Sequence, residues 1–445
     1  MGSIKISKSI KPYNKSIKIE GDKSLSIRWA LFASQSKGIS RSYNLLKSDD
    51  VLNTLNCLKK LGVKVRFKKN FCEIKGNGLN GFKYNKKIIL DAGNSGTLAR
   101  LIMGLLVHSK SEIKIIGDKS LSNRDFTRIS KPLGMFGARF KTNNGKLPVK
   151  ILGTAFPKTV KYVENKGSAQ VKSSLMFAAL NTIGKTIIKA KKSRNHTELL
   201  FKHLGIPIKI QKKNNFDHIE VSGIKKIKAL NYKIPSDISS SAFFIILTAL
   251  SKNSKIKIKN VNVNPTRIGV IKILKKMGVK IKFENKKVYN GEKIADLYVE
   301  STKVLKAINC PIRYNSSAID EFLSIFLVAA KAKGISYFKN LSELNQKESP
   351  RLKWGSKILN MMGIKTILKK DSIKIFGNPN LKIKKDIKIE NFLKDHRVFM
   401  TSVIAALIYG GKWDITDTDS INSSFTSFLK IIKRLGGQIK LKYSR

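Results

Sequence analysis

A repeated pattern governs what this chain can fold into. Six times, a basic amphipathic stretch ends in a bulky apolar residue and a glycine, and alternating apolar and basic residues follow. Each copy predicts a helix, a glycine in the left-handed conformation and a strand whose side chains alternate between two faces. The six glycines lie 68 to 85 residues apart: Gly62, Gly137, Gly205, Gly278, Gly363 and Gly436.

A second pattern alternates with the first. A polar segment precedes a helix that is apolar on nearly all sides, which predicts a helix buried within its domain. A unit of about 70 residues is too large for a simple solenoid repeat and would be only a marginal domain by itself. Grouping in threes predicts an α/β protein of two domains, with central helices, outer sheets and a break near residues 231–235. The six copies begin near Ser24, Thr97, Ser168, Ser239, Asp320 and Asp395.

The chain is strongly basic, with 88 Lys+Arg against 29 Asp+Glu and a formal net charge of +59 over 445 residues. The lysines alternate with apolar residues, as in residues 256–259, which predicts solvated strand faces rather than a dedicated nucleic-acid site. A nucleic-acid-binding protein is the alternative, and it requires clustered charge and exposed aromatic residues. In either case, the positive field should attract small anions and cause weak, salt-sensitive binding to DNA.

The cysteines and the hydropathy pattern indicate the compartment. Cys57, Cys72 and Cys310 are scattered without metal-ligand spacing, so neither a disulfide framework nor a metal site is expected. No apolar run reaches the ~18 residues of a membrane helix, and the basic N-terminus lacks the apolar core of a signal peptide. These features predict a cytoplasmic protein without membrane association.

Cations stand beside several of the predicted helix starts. Ordinary N-capping explains the Ser, Thr, Asp and Asn residues there, including those of the segment SDISSS at 236–241. It does not explain Lys23, Arg28 or Arg397, because a cation near a helix N-terminus opposes the macrodipole. A bound anion would bridge the free backbone N–H groups and these cations. The octapeptide GDKSLSIR at 21–28 recurs as GDKSLSNR at 117–124, which adds Arg124 to this group.

Two further polar clusters allow a structural or a functional interpretation. In residues 347–351, Ser349 is predicted to be an N-cap and Pro350 the first helical residue, with the flanking charges either solvated or functional. In residues 191–196, His196 is interpreted as a structural hydrogen-bonding residue. No Ser-His-Asp elbow, Walker loop or dinucleotide fingerprint occurs.

Together, these segments resemble the 5-enolpyruvylshikimate-3-phosphate synthase family. The residues of several motifs are similar to those of its second-class bacterial branch. The resemblance spans Gly21 to Phe428 and implies two similar domains, each of three βαβαββ units, an inverse α/β barrel. It implies that residues 1–20 and 237–445 form a discontinuous domain, that residues 21–236 form the second, and that the active site lies in the cleft between them. Eleven motifs in family order carry it: GDKSLSIR, LDAGNSGTLAR, GDKSLSNRDFTRISKPL, GSAQVKSSLMFAAL, SRNHTELL, PSDISSSAFF, NPTRIG, IDEF, ELNQKESPRL, DHRVFM and SSFTSF.

The resemblance also implies a reaction. The enolpyruvyl group of phosphoenolpyruvate is transferred to the 5-hydroxyl of shikimate 3-phosphate, and phosphate is released after a tetrahedral intermediate. This step belongs to the shikimate pathway of aromatic amino acid biosynthesis and needs no metal or organic cofactor. The two small anions are the expected partners, and a monomer is expected.

The resemblance assigns a role to each matching residue. Asp320 would deprotonate the attacking hydroxyl, and Glu348, with Lys23, would handle the proton at the methylene carbon. The residues implied for shikimate 3-phosphate are Lys23, Ser24, Arg28, Ser168, Ala169, Gln170, Arg194, Asp320 and Lys347. Those implied for phosphoenolpyruvate are Lys23, Asn94, Gly96, Thr97, Arg124, Gln170, Arg351 and Arg397. In this family, glyphosate occupies the phosphoenolpyruvate pocket beside the Gly96 position, so sensitivity to glyphosate is predicted.

Several positions depart from the family pattern, and two other functions compete with this one. Within the same fold, the enolpyruvyl transferase of UDP-N-acetylglucosamine uses a loop cysteine, and residues 110–122 contain none. A pseudo-enzyme would have lost the carboxylates or the substrate-binding cations, and these are present. The departures are Glu20, Asp125 and Thr426 in place of proline, Asn345-Gln346 in place of Arg-Val, Pro350 in place of aspartate and Ser423 at the position of a loop lysine of the enterobacterial branch.

Overall fold

The computed structural model describes residues 2–85 and 87–443; Met1, Lys86, Ser444 and Arg445 lie outside the described residues. The chain divides into two compact units. Unit 1 comprises Met1–Glu20, Ser236–Lys287 and Lys293–Arg445, and unit 2 comprises Gly21–Pro235 and Val288–Glu292.

Helices and strands are interspersed throughout the described residues. The helices are α1 (Lys23–Gln35), α2 (Asp49–Lys60), α3 (Gly96–Leu105), α4 (Lys119–Ser122), α5 (Thr127–Gly134), α6 (Ala169–Ala179), α7 (His196–His203), α8 (Ile238–Leu250), α9 (Gly269–Lys276), α10 (Asn315–Ala318), α11 (Phe322–Lys331), α12 (Arg351–Met361), α13 (His396–Tyr409) and α14 (Phe428–Arg434). The strands are β1 (Gly2–Ile6), β2 (Asn14–Lys18), β3 (Ser36–Tyr43), β4 (Lys64–Phe67), β5 (Phe71–Asn77), β6 (Ile88–Asp91), β7 (Ile113–Ile116), β8 (Arg139–Asn143), β9 (Lys146–Leu152), β10 (Lys161–Glu164), β11 (Lys185–Lys191), β12 (Ile208–Lys213), β13 (Phe216–Ser222), β14 (Ile227–Lys228), β15 (Tyr232–Lys233), β16 (Lys255–Asn262), β17 (Ile281–Tyr289), β18 (Glu292–Glu300), β19 (Gly334–Phe338), β20 (Thr366–Leu368), β21 (Ile373–Gly377), β22 (Ile383–Ile389), β23 (Gly410–Ile415) and β24 (Lys440–Tyr443).

One sheet plan recurs within unit 2. In the sheet ordered β6-β7-β9-β8, the first pair is parallel and the other pairs are antiparallel. Helix α3 connects β6 to β7, and α5 lies between β7 and β8, so the segment forms one βαβαββ unit. The sheet ordered β10-β11-β13-β12 repeats this plan with α6 and α7. The predicted α/β fold of repeated βαβαββ units is therefore confirmed.

The N-terminal segment completes two sheets of unit 1. Strand β1 pairs antiparallel with β23 and β24, and β2 pairs parallel with β16. The first twenty residues therefore belong to the same unit as the C-terminal half of the chain. In the described residues, the sheet of β19, β21 and β20 has three strands instead of four.

All six glycines of the first repeat have positive φ angles, between 67° and 102°. Each of them lies between a helix and the next strand, as the pattern predicts. A residue with a Cβ is strained in this conformation, which explains why glycine recurs at the junction.

The helices of the second repeat form the core of each unit. Every residue of α8, from Ile238 to Leu250, is buried. Burying one large apolar side chain contributes roughly 1.5–3 kcal/mol, so these helices contribute strongly to the cohesion of their units. Among the described residues, no helix combines the length and hydropathy needed to cross a bilayer.

Candidate active site

In unit 2, the start of α1 holds two cations. Asp22 caps this helix by accepting from the Leu25 N–H at 2.9 Å, and Lys23 Nζ lies 2.9 Å from Asp50 Oδ2. The buried Arg28 donates from Nε to Thr197 Oγ1 at 2.9 Å. It also donates from Nη2 to the Ser173 hydroxyl at 3.2 Å, and the two hydroxyls are 2.7 Å apart. Because Ser173 is on α6 and Thr197 on α7, three helices fix the direction of one guanidinium.

A second group of cations surrounds the start of α3. Ser95 caps this helix, and the adjacent Asn94 side chain accepts from Arg124 Nη2 at 2.8 Å. A Cβ on Gly96 would lie 3.1 Å from Arg124 Nη1 and 3.3 Å from Arg100 Nη1. The first backbone N–H groups of α3 and two guanidinium groups therefore converge, which is an arrangement suited to an anion.

Gln170 connects this group to the next helix. Its Oε1 accepts from Arg100 Nη1 at 2.6 Å, and its Nε2 donates to Thr97 Oγ1 at 3.2 Å. Ser168 caps α6 by accepting from the Val171 N–H at 3.3 Å. Arg194 is half-buried in the loop that precedes α7. The structure thus brings the polar segment 168–170 against the start of α3.

In unit 1, two carboxylates and two cations meet. Lys347 Nζ lies 3.1 Å from Asp320 Oδ1, and Arg351 Nη1 lies 3.6 Å from the same oxygen. Arg351 also donates from Nη2 to Glu348. Burial lowers the pKa of Arg351, but Asp395, Glu348 and Asp320 together raise it above its usual value. The Arg351 guanidinium therefore remains charged although it is buried.

Asp395 joins this cluster to α13. Its carboxylate accepts from Arg351 Nε at 2.9 Å and from the Ser349 hydroxyl at 2.8 Å. It also accepts from the Arg397 N–H at 2.9 Å and so caps the helix. The prediction that Ser349 caps α12 is wrong: Pro350 occupies the cap position, because Asp395 binds both the Ser349 hydroxyl and its N–H.

Several residues that hold these side chains could not be recognised from the sequence. Asp395 was interpreted only as a helix start, and its bonds to Arg351 could not be deduced from local sequence. From the local sequence, Asp50 is explained as an acidic residue that stabilises the first turn of α2, which does not point to its ion pair with Lys23. Arg100 offered a usable signal, because a charged residue in an otherwise apolar helix needs a partner.

Two departures from the family pattern contact each other. Glu20 accepts from the Thr426 hydroxyl at 3.0 Å and from the Ser427 N–H at 3.4 Å. A third departure, Asp125, accepts from both the N–H and the hydroxyl of Thr127 at the start of α5. These residues replace the rigidity of proline with side-chain hydrogen bonds.

The cysteines and His196 are placed away from solvent. All three cysteines are buried and free, and burial raises the pKa of each thiol to about 12. His196 Nδ1 lies 2.6 Å from Glu292 Oε1 and both side chains are buried, as expected for a structural histidine. Within residues 2–85 and 87–443, no group of three or more His, Cys, Asp or Glu side chains could hold a metal ion.

Known proteins resemble this chain over nearly its full length. The family model for EPSP synthase (3-phosphoshikimate 1-carboxyvinyltransferase) matches residues 7–432. The chain is 38% identical over 436 residues to the 3-phosphoshikimate 1-carboxyvinyltransferase of Ruthia magnifica subsp. Calyptogena magnifica, covering 97% of this chain and 98% of that protein. It is 36% identical over 423 residues to the protein of that name from Caldicellulosiruptor bescii, covering 94% and 96%.

Solved structures show the same relationship. The EPSP synthase of Acinetobacter baumannii superimposes with a TM-score of 0.87 at 33% identity, and all of both chains is covered. The enolpyruvyl transferase NikO of Streptomyces tendae reaches a TM-score of 0.76 at 13% identity over 100% of this chain and 99% of that one, which shows a shared fold alone. On the family model, the relatives and the structures together, this chain is an enzyme of the EPSP synthase (3-phosphoshikimate 1-carboxyvinyltransferase) family.

Proposed function

We propose that this enzyme transfers the enolpyruvyl group of phosphoenolpyruvate to the 5-hydroxyl of shikimate 3-phosphate and releases phosphate. The observation that carries the proposal is the placement of charge. Cations gather at the starts of α1, α3 and α13, and Asp320 and Glu348 lie beside Arg351. Both substrates are multiply charged anions, and the chemistry needs a base and an acid in addition to cations.

In this proposal, shikimate 3-phosphate is bound mainly by unit 2. Arg28 is held by Ser173 and Thr197 before any ligand arrives, so its binding geometry needs little reorganisation. The hydroxyl and N–H donors of the segment 168–170 suit the substrate's phosphate and hydroxyl groups. The proposed ligands are Lys23, Ser24, Arg28, Ser168, Ala169, Gln170, Arg194, Asp320 and Lys347.

Three arginines are proposed to bind phosphoenolpyruvate. Arg124 is oriented by Asn94, whereas Arg351 and the start of the Arg397 helix are both oriented by Asp395. Guanidinium groups bind phosphate and carboxylate oxygens in pairs, so pre-oriented arginines favour this ligand over a neutral one. Lys23, Asn94, Gly96, Thr97 and Gln170 complete the proposed set.

The two carboxylates are proposed to move the protons. Asp320 accepts the proton of the 5-hydroxyl as that oxygen bonds to C2 of phosphoenolpyruvate. Glu348, with Lys23, donates a proton to the methylene carbon and forms the tetrahedral intermediate. Removal of a proton from the resulting methyl group then expels phosphate and restores the double bond, so the bonds and protons balance.

A substitution at Asp320 tests this assignment. Asp320→Asn keeps the size and the acceptor oxygen but removes the base, so we expect turnover to fall ~10²-fold or more. Binding of shikimate 3-phosphate, measured by calorimetry, should persist. Asp386→Asn, on β22, is a control outside the assigned residues and should leave turnover unchanged. Near-wild-type turnover of Asp320→Asn would remove Asp320 from the role of base.

A further inference from the structure

We propose that Glu164 is a positioning residue for shikimate 3-phosphate, because its buried carboxylate holds the loop that places residues 168–170. This inference rests on the proposed function, in which the segment 168–170 binds shikimate 3-phosphate. Glu164 is the last residue of β10, and α6 begins at Ala169, only five residues later.

Three successive backbone N–H groups converge on this one side chain. Glu164 Oε1 accepts from the Lys166 N–H at 2.9 Å. Its Oε2 accepts from the Gly167 N–H at 2.8 Å and from the Ser168 N–H at 2.9 Å. Gly167 has a φ of 73°, which allows the chain to turn back around the carboxylate. Glu164 thereby fixes the backbone of Ser168, the residue that caps α6.

The cost of this arrangement supports a role beyond fold stability. Glu164 is 4% exposed, and burial raises the pKa of its carboxyl although the three N–H groups and the nearby Lys172 charge act to lower it. Relative to the protonated form, the ionised side chain is therefore less favourable in the folded protein than in the unfolded chain. A neutral glutamine would avoid burying a charge, but it could not accept all three N–H groups.

A buried ion pair between α6 and α7 connects the helix that Glu164 positions to the residues that hold Arg28. Lys172 is fully buried on α6, and its Nζ lies 2.5 Å from Glu198 Oε1 on α7. Each of the two helices also supplies one of the hydroxyl groups that hold Arg28, Ser173 from α6 and Thr197 from α7. A shift at the start of α6 would therefore disturb two proposed ligand groups for the same substrate.

Glu164→Gln in the full-length enzyme tests the inference. Glutamine retains one acceptor oxygen, but its NH₂ group faces N–H donors, so at least one of the three bonds is lost. Loss of a hydrogen bond to a charged group predicts a rise of about tenfold in KM for shikimate 3-phosphate. We expect kcat and KM for phosphoenolpyruvate to change less than about twofold to threefold, since most residues proposed for that substrate lie elsewhere. Hydrogen exchange at the amides of Lys166, Gly167 and Ser168 should accelerate even without substrate.

Two further variants keep the test decisive. Glu112→Gln removes an exposed carboxylate of the same unit, 3.5 Å from Lys150, and should change neither KM nor exchange. Glu164→Asp keeps the charge but shortens the reach, so it should give an intermediate KM. It also serves if Glu164→Gln does not fold.

The outcomes separate this inference from the proposed function. An inactive, folded wild-type enzyme would refute the proposed function and this inference with it. An active wild type whose Glu164 variants show unchanged KM for shikimate 3-phosphate, or equal changes for both substrates, would overturn the inference alone. The same applies if amide protection is lost without any change in KM.

Discussion

At the scale of single residues, burial decides which groups are available for chemistry. Asp320, Lys347 and Glu348 retain some exposure, whereas Arg351 beside them is buried and held by Asp395. This division suits a site in which Asp395 fixes the direction of the Arg351 guanidinium while the three more exposed side chains remain accessible to a substrate. The identity of the candidate ligands could be predicted from the motifs, but Asp395 and Thr197 could not, because their partners lie far away in sequence.

The cysteines should be unreactive in the native enzyme. The thiol pKa of about 12 leaves roughly a thousandth of the usual thiolate at pH 8, and burial excludes the reagent. A disulfide reagent at pH 8 should therefore react with no thiol of the native enzyme within minutes and leave its activity intact. In denaturant, the same reagent should react with all three thiols. Burial of the neutral thiols also makes the free energy of unfolding depend on pH. Because the folded-state pKa is raised, the stability that the neutral thiols provide is present below about pH 9 and is lost as the pH rises toward 12. Rapid inactivation by the reagent would favour the alternative mechanism with a reactive cysteine.

Gly96 should control access to the phosphoenolpyruvate pocket. Gly96→Ala would place a methyl group 3.1 Å from Arg124 Nη1 and 3.3 Å from Arg100 Nη1, so a guanidinium must move. We expect wild-type activity to be inhibited by glyphosate, and the variant to show weaker inhibition with a higher KM for phosphoenolpyruvate. Steady-state inhibition assays measure both. Wild-type activity that persists at saturating glyphosate would contradict the prediction.

At the scale of helices and strands, the sequence pattern was most informative where a single physical constraint determines which residue type can occupy a position. The junction glycines and the alternating strands follow directly from backbone sterics and from period-two burial. The repeat pattern alone does not predict that β1 and β2 complete sheets of unit 1, since strand pairing across more than 200 residues leaves no local signal. Only the family resemblance implied that residues 1–20 belong with the C-terminal half. The start of α12 was misassigned because Asp395 competes for Ser349.

Two glycine substitutions in unit 2 separate backbone strain from steric clash. A Cβ on Gly205 or on Gly134 would meet nothing within 4 Å, but only Gly205 has a positive φ, of 67°. Gly205→Ala should lower the free energy of unfolding by roughly 1–2 kcal/mol through strain alone. Gly134→Ala, at the end of α5, should instead raise it by about 0.4–1 kcal/mol. Denaturant titrations measure both values, and equal effects would contradict the assignment of the junction glycines.

At the scale of the whole molecule, the net charge of +59 is the dominant feature. The lysines lie on strand faces such as those of β12 and β16, where they alternate with less exposed apolar residues. Such a distributed field gives no sequence-specific site, but it increases the local concentration of small anions. The proposed substrates are of that kind.

Salt should therefore weaken substrate capture more than chemistry. Between about 0.05 and 0.5 M salt the Debye length shortens severalfold, so kcat/KM for shikimate 3-phosphate should fall severalfold. The value of kcat should change much less, because the bound substrate is already in place. Potassium glutamate and potassium chloride series distinguish screening from competition by chloride. A salt-independent kcat/KM would show that the positive field does not steer the substrate.

Phosphate release by the purified enzyme is the direct test of the proposed transfer from phosphoenolpyruvate to shikimate 3-phosphate. Phosphoenolpyruvate is supplied with shikimate 3-phosphate, and in parallel with UDP-N-acetylglucosamine, at moderate salt. We expect release that depends on shikimate 3-phosphate and is absent with the sugar nucleotide. Release with the sugar nucleotide and not with shikimate 3-phosphate would contradict this expectation. A folded sample that releases no phosphate with either acceptor would contradict it as well.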